Sequence, residues 1–194
     1  MTMNNLIRKK QLRKELIEKR DKIPEKERYA KSREIAKNCY AHIPVSKNTV
    51  VAGFMPMGSE VDIRLLLEMY QEAGLKICLP IVTNVDEPLS FCEYKRGDEL
   101  VENKKFKFFE PLKRKTIVPN VIITPLLAFD ANGYRLGYGG GFYDRTFDFL
   151  YKVGEIMTIG VGFESQRVGL LPIDKFDEKL DAVVTEKQVY VWEE

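Results

Sequence analysis

Between Arg135 and Arg145 the chain reads Arg-Leu-Gly-Tyr-Gly-Gly-Gly-Phe-Tyr-Asp-Arg, which places Gly137, Gly139, Gly140 and Gly141 within five positions and an arginine at either end. Glycine lets backbone N–H groups come close to a ligand and adopt positive φ, so the run can wrap an anion such as phosphate with amide donors while the arginines add charge. A helix predicted from Phe142 to Tyr151 would aim its amino end at the same anion. Asp144, in the first turn of that helix, is suited to hold a magnesium ion against phosphate oxygens. Neither G-x-x-x-x-G-K-S/T nor G-x-G-x-x-G is present, which excludes the two familiar nucleotide loops. A plain surface turn is the alternative, but a turn needs no aromatic pair, arginines and aspartate at its edge.

Two further groups could serve that site. Lys9, Lys10 and Arg13 fall within one turn of a basic helix predicted from Leu6 to Arg20, and i, i+4 spacing puts Lys9 and Arg13 on one side. They bind a polyphosphate if that side faces the glycine loop, and otherwise form a solvated face. Met55, Met57 and Glu60 follow a predicted strand from Thr49 to Phe54, and open α/β sheets place ligands beyond the carboxyl ends of their strands. A carboxylate beside thioethers can hydrogen-bond a flat, nitrogen-rich ring, or it can be an ordinary loop acid.

Composition narrows the chemistry. With 31 Lys plus Arg against 29 Asp plus Glu in 194 residues, the net charge of +2 gives no support for a general nucleic-acid or membrane surface. Cys39, Cys78 and Cys92 are odd in number and widely spaced, so they read as buried thiols of a reduced compartment rather than a disulfide or zinc framework. A cytoplasmic protein is expected, with no targeting or membrane segment. His42 is the sole histidine and lies at the end of a predicted helix, where capping or packing suits it better than catalysis.

The elements that must position these residues follow in order. A second helix begins with Pro24 at its first position and runs to about Ala41, with Tyr29, Ala36, Cys39 and Tyr40 supplying apolar contacts. Asp62 caps a helix over 63–73 that Gly74 closes. Strands are expected at 76–82 and 89–94 as a hairpin, then at 121–127, 157–163, 183–185 and 188–192. The stretch 106–119 reads as an irregular loop covering the core.

Several of these motifs coincide in one family. Lys9-Lys10-Gln11-Leu12-Arg13, Phe109-Glu110-Pro111, Asn132 through Arg145 and Leu180-Asp181-Ala182-Val183-Val184-Thr185-Glu186 together resemble the 5-formyltetrahydrofolate cyclo-ligase family over nearly the whole chain. The resemblance implies an α/β fold, a three-layer α/β/α sandwich with a mixed, mostly parallel sheet, related to the sugar-phosphate isomerase and CoA-transferase group. It implies one domain over 1–194, with the basic helices of 5–41 packed on a core of 49–192; a monomer is expected. The activity implied is ATP-dependent conversion of 5-formyltetrahydrofolate to 5,10-methenyltetrahydrofolate with Mg²⁺. ATP contacts carry over to Lys9, Lys10, Gln11, Leu12 and Arg13 and to Arg135, Leu136, Gly137, Tyr138, Gly139, Gly140, Gly141, Phe142 and Tyr143. Folate contacts carry over to Met55, Glu60 and Tyr138 through Phe142, metal contacts to Asp144 and Asp181, and catalytic roles to Arg135 and Asp144. Phe176 departs from the pattern, since relatives often carry histidine there. Two other readings stay open: an enzyme of the sugar-phosphate isomerase or CoA-transferase type that binds a single phosphate, and a nucleic-acid module built on the basic helix and residues 106–115.

Overall fold

The computed structural model describes residues 3–192; residues 1, 2, 193 and 194 of the expected domain lie outside them. Two helices come first, α1 (Met3–Asp21) and α2 (Glu25–His42). Pro24 stands just before α2 as its N-cap rather than as its first helical residue. The face that α2 buries is Ser32, Ile35, Ala36 and Cys39, whereas Tyr29 and Tyr40 are exposed. Helical rotation explains the difference, because those two tyrosines flank the 32–36–39 stripe rather than lie on it.

The sheet elements follow as β1 (Val50–Ala52), α3 (Arg64–Glu72), β2 (Lys76–Ile81), β3 (Ser90–Tyr94), β4 (Leu100–Glu102), β5 (Phe109–Pro111), β6 (Val121–Pro125), β7 (Ala128–Phe129), β8 (Arg135–Leu136), α4 (Phe142–Val153), β9 (Met157–Val161), β10 (Ala182–Val184) and β11 (Val189–Val191). Seven strands form one sheet in the order β11-β10-β9-β6-β1-β2-β3. Its centre is parallel, and β3 and β11 close the two edges antiparallel. The 76–94 hairpin and the mixed, mostly parallel sheet are both present as expected.

Period-2 alternation divides the core into two layers. Val51, Ile77, Leu79, Val121, Ile123, Ile159 and Val184 pack with Ile35, Leu66 and Tyr70 of α2 and α3. Their strand neighbours Ala52, Cys78, Ile122 and Val183 face the other way, onto Phe147 and Leu150 of α4. Helices therefore cover both faces. The amphipathic α1 sits apart from these layers, with Leu16 buried against Leu127, Ala128, Leu136 and Leu171 beyond β6. Among the described residues no helix is long and apolar enough to cross a membrane.

Three local expectations need correction. The 106–119 stretch contains β5, which pairs antiparallel with β4. Its anchor is polar: the buried Glu110 carboxylate accepts from the Val82 amide, Asn103 Nδ2 and Arg114 Nη2, so an apolar pattern could not disclose it. Residues 128–134, read from their Asp, Asn and Gly as a turn-rich approach to the glycine segment, belong to a small hairpin, β7 with β8, which is what delivers Arg135. At α3 the N-cap is Ile63, one residue later than expected, while the Asp62 carboxylate accepts the Arg64 amide at 3.0 Å.

Candidate active site

A cavity of about 790 Å³ opens beyond the carboxyl ends of β1, β2 and β6, with Phe54, Pro80 and Pro125 in its floor. The glycine segment forms one wall. Gly139 (φ +98°) and Gly141 (φ +65°) occupy the left-handed region, and Gly141 stands immediately before α4 as its N-cap. A side chain at Gly139 would meet the Arg13 guanidinium at 3.0 Å. That closeness has a purpose in the fold: Arg13 Nε donates to the Gly137 carbonyl at 2.8 Å and ties α1 to the loop.

Arg135 enters from β8 with 3% of its side chain exposed. Its guanidinium lies 4.7 Å from the Phe147 ring centroid, donates to the Glu178 carbonyl at 3.2 Å and pairs with Asp144 Oδ1 at 3.0 Å. Two N–H bonds leave other donors of the five free to face the cavity. Asp144 also accepts the Glu178 amide at 3.3 Å. Burial, reinforced by Asp148 and Asp144, pushes the Glu178 carboxyl above its usual range. Arg145, by contrast, turns back: its guanidinium donates to the carbonyls of Val85, Glu87 and Gly140 and covers the Phe142 ring, so it braces the loop and does not charge it.

At the other end lies Glu60, 5% exposed. Oε2 accepts the Met57 amide at 2.7 Å, and Oε1 has no partner; among the described residues it is the one buried side-chain nitrogen or oxygen so placed. Burial pushes its carboxyl upward, against the opposing pulls of the Tyr138 hydroxyl, the Met57 amide and the Arg20 charge. Met55, Met57 and Phe142 line the cavity with it, and Tyr138 stands beside it. Phe106 meets Phe142 edge-on with centroids 5.1 Å apart, which brings the 103–108 connection over the cavity.

Lys9 and Arg13 both face the cavity, so α1 presents its basic side to the glycine loop rather than to solvent. Lys9 Nζ contacts Asp174 Oδ2 at 2.9 Å and Asp177 Oδ2 at 2.5 Å. The cavity thus has one end lined by three cations and another built round an unsatisfied carboxylate. The model of the 5-formyltetrahydrofolate cyclo-ligase family matches residues 5–186.

The chain belongs to that family. It is 37% identical over 155 residues to the 5-formyltetrahydrofolate cyclo-ligase of Escherichia coli strain K12, covering 77% of this chain and 84% of the relative. With the enzyme of the same description from Mycolicibacterium smegmatis it shares 31% identity over 189 residues, covering 93% and 94% of the two chains. The solution structure of Aquifex aeolicus 5,10-methenyltetrahydrofolate synthetase superposes with a TM-score of 0.76 at 29% identity, over 94% of this chain and 92% of that one. A synthetase from Mycoplasma pneumoniae, at 22% identity and a TM-score of 0.74, shares the fold.

Against the family's expected cyclo-ligase contacts, Lys9, Arg13, Met55, Glu60 and the whole of Arg135 to Asp144 meet at the one cavity. Lys10, Gln11, Leu12 and Asp181 do not line it. Lys10 and Gln11 are exposed, Gln11 donating to Glu15, and Leu12 packs beside Leu16. Asp181 Oδ2 accepts the amide and hydroxyl of Thr158 and so fastens β10 to β9. His42 is exposed at the end of α2, and the three cysteines are buried free thiols. The residues that went unrecognised in the sequence are Arg20, Asp174 and Asp177. Arg20 is buried, donates to Ser59 Oγ at 2.9 Å and to the Tyr138 hydroxyl at 2.8 Å, and so steadies the wall beside Glu60. Phe176, at the position where the resemblance leads to a histidine, lines the rim with 63% exposure.

Proposed function

We propose that this cavity holds ATP and 5-formyltetrahydrofolate together, with the triphosphate at the end of Lys9, Arg13, Arg135 and the glycine loop and the pterin ring at Glu60. The conversion of 5-formyltetrahydrofolate to 5,10-methenyltetrahydrofolate is the activity of the ATP-dependent cyclo-ligase family to which the chain belongs. One observation supports the arrangement above others: the buried, unpartnered Oε1 of Glu60 belongs to a residue lining the same cavity as Lys9, Arg13 and Arg135. An acceptor left unpaired costs the fold stability unless a ligand donor meets it, and a pterin edge carries such N–H donors.

The chemistry needs positioning more than a protein nucleophile. A formyl oxygen cannot leave as hydroxide, so it first attacks the γ-phosphorus in line and expels ADP, giving an iminium phosphate on N5. N10 then attacks that carbon and gives up its proton to solvent, and phosphate leaves as the five-membered ring closes. Arg135, Lys9 and Arg13 neutralise phosphate charge in a partly enclosed site, where such contacts weigh most. Tyr138 and Phe142 hold the folate against the loop. Burial keeps the Tyr138 and Tyr143 hydroxyls protonated, so they act as neutral donors and walls.

Mg²⁺ fits this donor set in its usual manner, through one or two carboxylates with phosphates completing the shell. Among the described residues no three acids, histidines or cysteines are gathered to hold a metal alone. Asp144 is the carboxylate in place, with Asp148 and Glu178 beside it on the cavity. Bound there, the ion would supply charge neutralisation on the phosphate oxygens. A monomer is the proposed working unit.

Mixing the protein with ATP, Mg²⁺ and 5-formyltetrahydrofolate should produce the methenyl chromophore, and omitting ATP or Mg²⁺ should abolish it. Chromophore formation without ATP would overturn this reading.

A further inference from the structure

Lys9 reaches the phosphate end of the cavity with its charge already engaged. Its Nζ sits between Asp174 Oδ2 and Asp177 Oδ2, at 2.9 and 2.5 Å, and Lys9 and Asp174 are each only 6% exposed. The two acids come from a short segment far along the chain that folds on itself: the Asp174 amide donates to Asp177 Oδ2, and Asp174 Oδ1 accepts the Phe176 amide. All three side chains line the cavity. Two carboxylates on one ammonium leave surplus negative charge where a triphosphate has to enter.

A buried lysine without a partner would be costly, so the two acids offset its burial and hold it in place. A phosphate brings more charge and three equatorial oxygens to the same Nζ, and it repels the carboxylates as it arrives. We propose that Asp174 and Asp177 form a resident counter-anion that the nucleotide displaces from Lys9, so that Asp174 sets how tightly the enzyme holds ATP. The inference rests on the phosphate-end reading given above and adds residues to it that have no contact with either substrate in the bound state. Displacement also frees the 174–177 turn, and with it Phe176 at the rim.

Asp174→Asn is the test, because asparagine keeps an oxygen for the Phe176 amide and removes one charge from Lys9. ATP, and inorganic tripolyphosphate as a probe without base or sugar, should bind about three- to tenfold more tightly, the worth of one charge-assisted contact. KM for 5-formyltetrahydrofolate should not move. The ligand-free melting temperature should fall while the rise produced by saturating ATP grows, since ligand binding stabilises in proportion to affinity. A pair that is purely structural would lower the melting temperature with no gain in ATP affinity, and that result overturns the inference. Lys9→Ala separates the two levels: unchanged ATP binding removes the phosphate-end reading and this inference together, whereas weaker binding in Lys9→Ala with no tightening in Asp174→Asn removes this inference alone. Should Asp174→Asn fail to fold, the wild-type protein still decides the matter. Tripolyphosphate should speed amide hydrogen exchange at Phe176 and Asp177, and slower or unchanged exchange would count against displacement.

Discussion

The two ends of the cavity hold their charges in opposite ways. Glu60 is buried with one oxygen unpartnered, and its carboxyl is pushed upward by that burial. Asp174 is also drawn out of water, which works against its charge, yet Lys9 and the Phe176 amide hold its carboxyl below the usual range. One end is left incomplete until a ligand arrives. The other is complete already, and a ligand must compete with it. Affinity at the first end is therefore governed by a vacancy in the hydrogen-bond count, and at the second by an exchange of partners.

The seam between the ends carries the largest expected effect. Arg135→Ala or Asp144→Asn should lower turnover about 10²- to 10³-fold while the circular dichroism spectrum is retained, the usual loss for a preorganised charge at a reacting phosphoryl group. Near-normal turnover in both would detach the Arg135–Asp144 pair from the chemistry. Glu60→Ala comes next: kcat/KM for 5-formyltetrahydrofolate should drop about 10²-fold with the KM for ATP unmoved. If both constants move together, the ends are not separate.

Stability should separate the two carboxyls with opposite signs. Because the folded-state pKa of Glu60 is raised, the native protein holds that proton more tightly than the unfolded chain does, and stability is lost as pH rises through the folded value. Glu60→Gln should accordingly gain about 1 kcal/mol over wild type at pH 8 and nothing below the ordinary carboxylate range, as read from urea midpoints. A gain that is equal at both ends of the range would exclude titration of Glu60 as its source. The smallest effect is expected at Asp174, whose folded pKa is depressed. Its contribution is present above the unfolded value and is lost as pH falls through the folded one, so Asp174→Asn and wild type should melt apart at neutral pH and converge in acid. Parallel curves down to pH 2 would leave the Lys9 pairing without thermodynamic weight.

What could be read from the chain beforehand follows the range of the forces involved. The glycine run, the β-branched strands that form β1, β6 and β9, and the loop that carries Met55 and Glu60 are local patterns, and each stands where its pattern put it. By sequence alone Arg20 is one more charge on a basic helix, and Asp174 and Asp177 are members of an acidic run. Their partners are Tyr138 and Lys9, 118 and more than 160 residues away, and nothing in a local window marks a charge that will be buried by so distant a contact. Asp181 shows a distant contact of another kind: the acid matches its family position, and its carboxylate accepts the amide and hydroxyl of Thr158 on β9. The β4–β5 pair was hidden because Glu110 holds it with polar bonds, where an apolar alternation would have declared it.

Lys9, Arg13 and Arg20 stand four and then seven residues apart on α1. At 100° per residue they fall within about 40° of one another, and at 1.5 Å per residue they span about 16 Å along the axis. The first touches the acids at the phosphate end, the second the glycine loop, and the third the tyrosine beside Glu60. The helix is thus a measuring rod laid along the cavity, and in the proposed arrangement its pitch sets the separation of the two substrates. One residue more or fewer between Arg13 and Arg20 would rotate the far mark out of line, and such a variant is expected to bind each substrate without presenting them to each other.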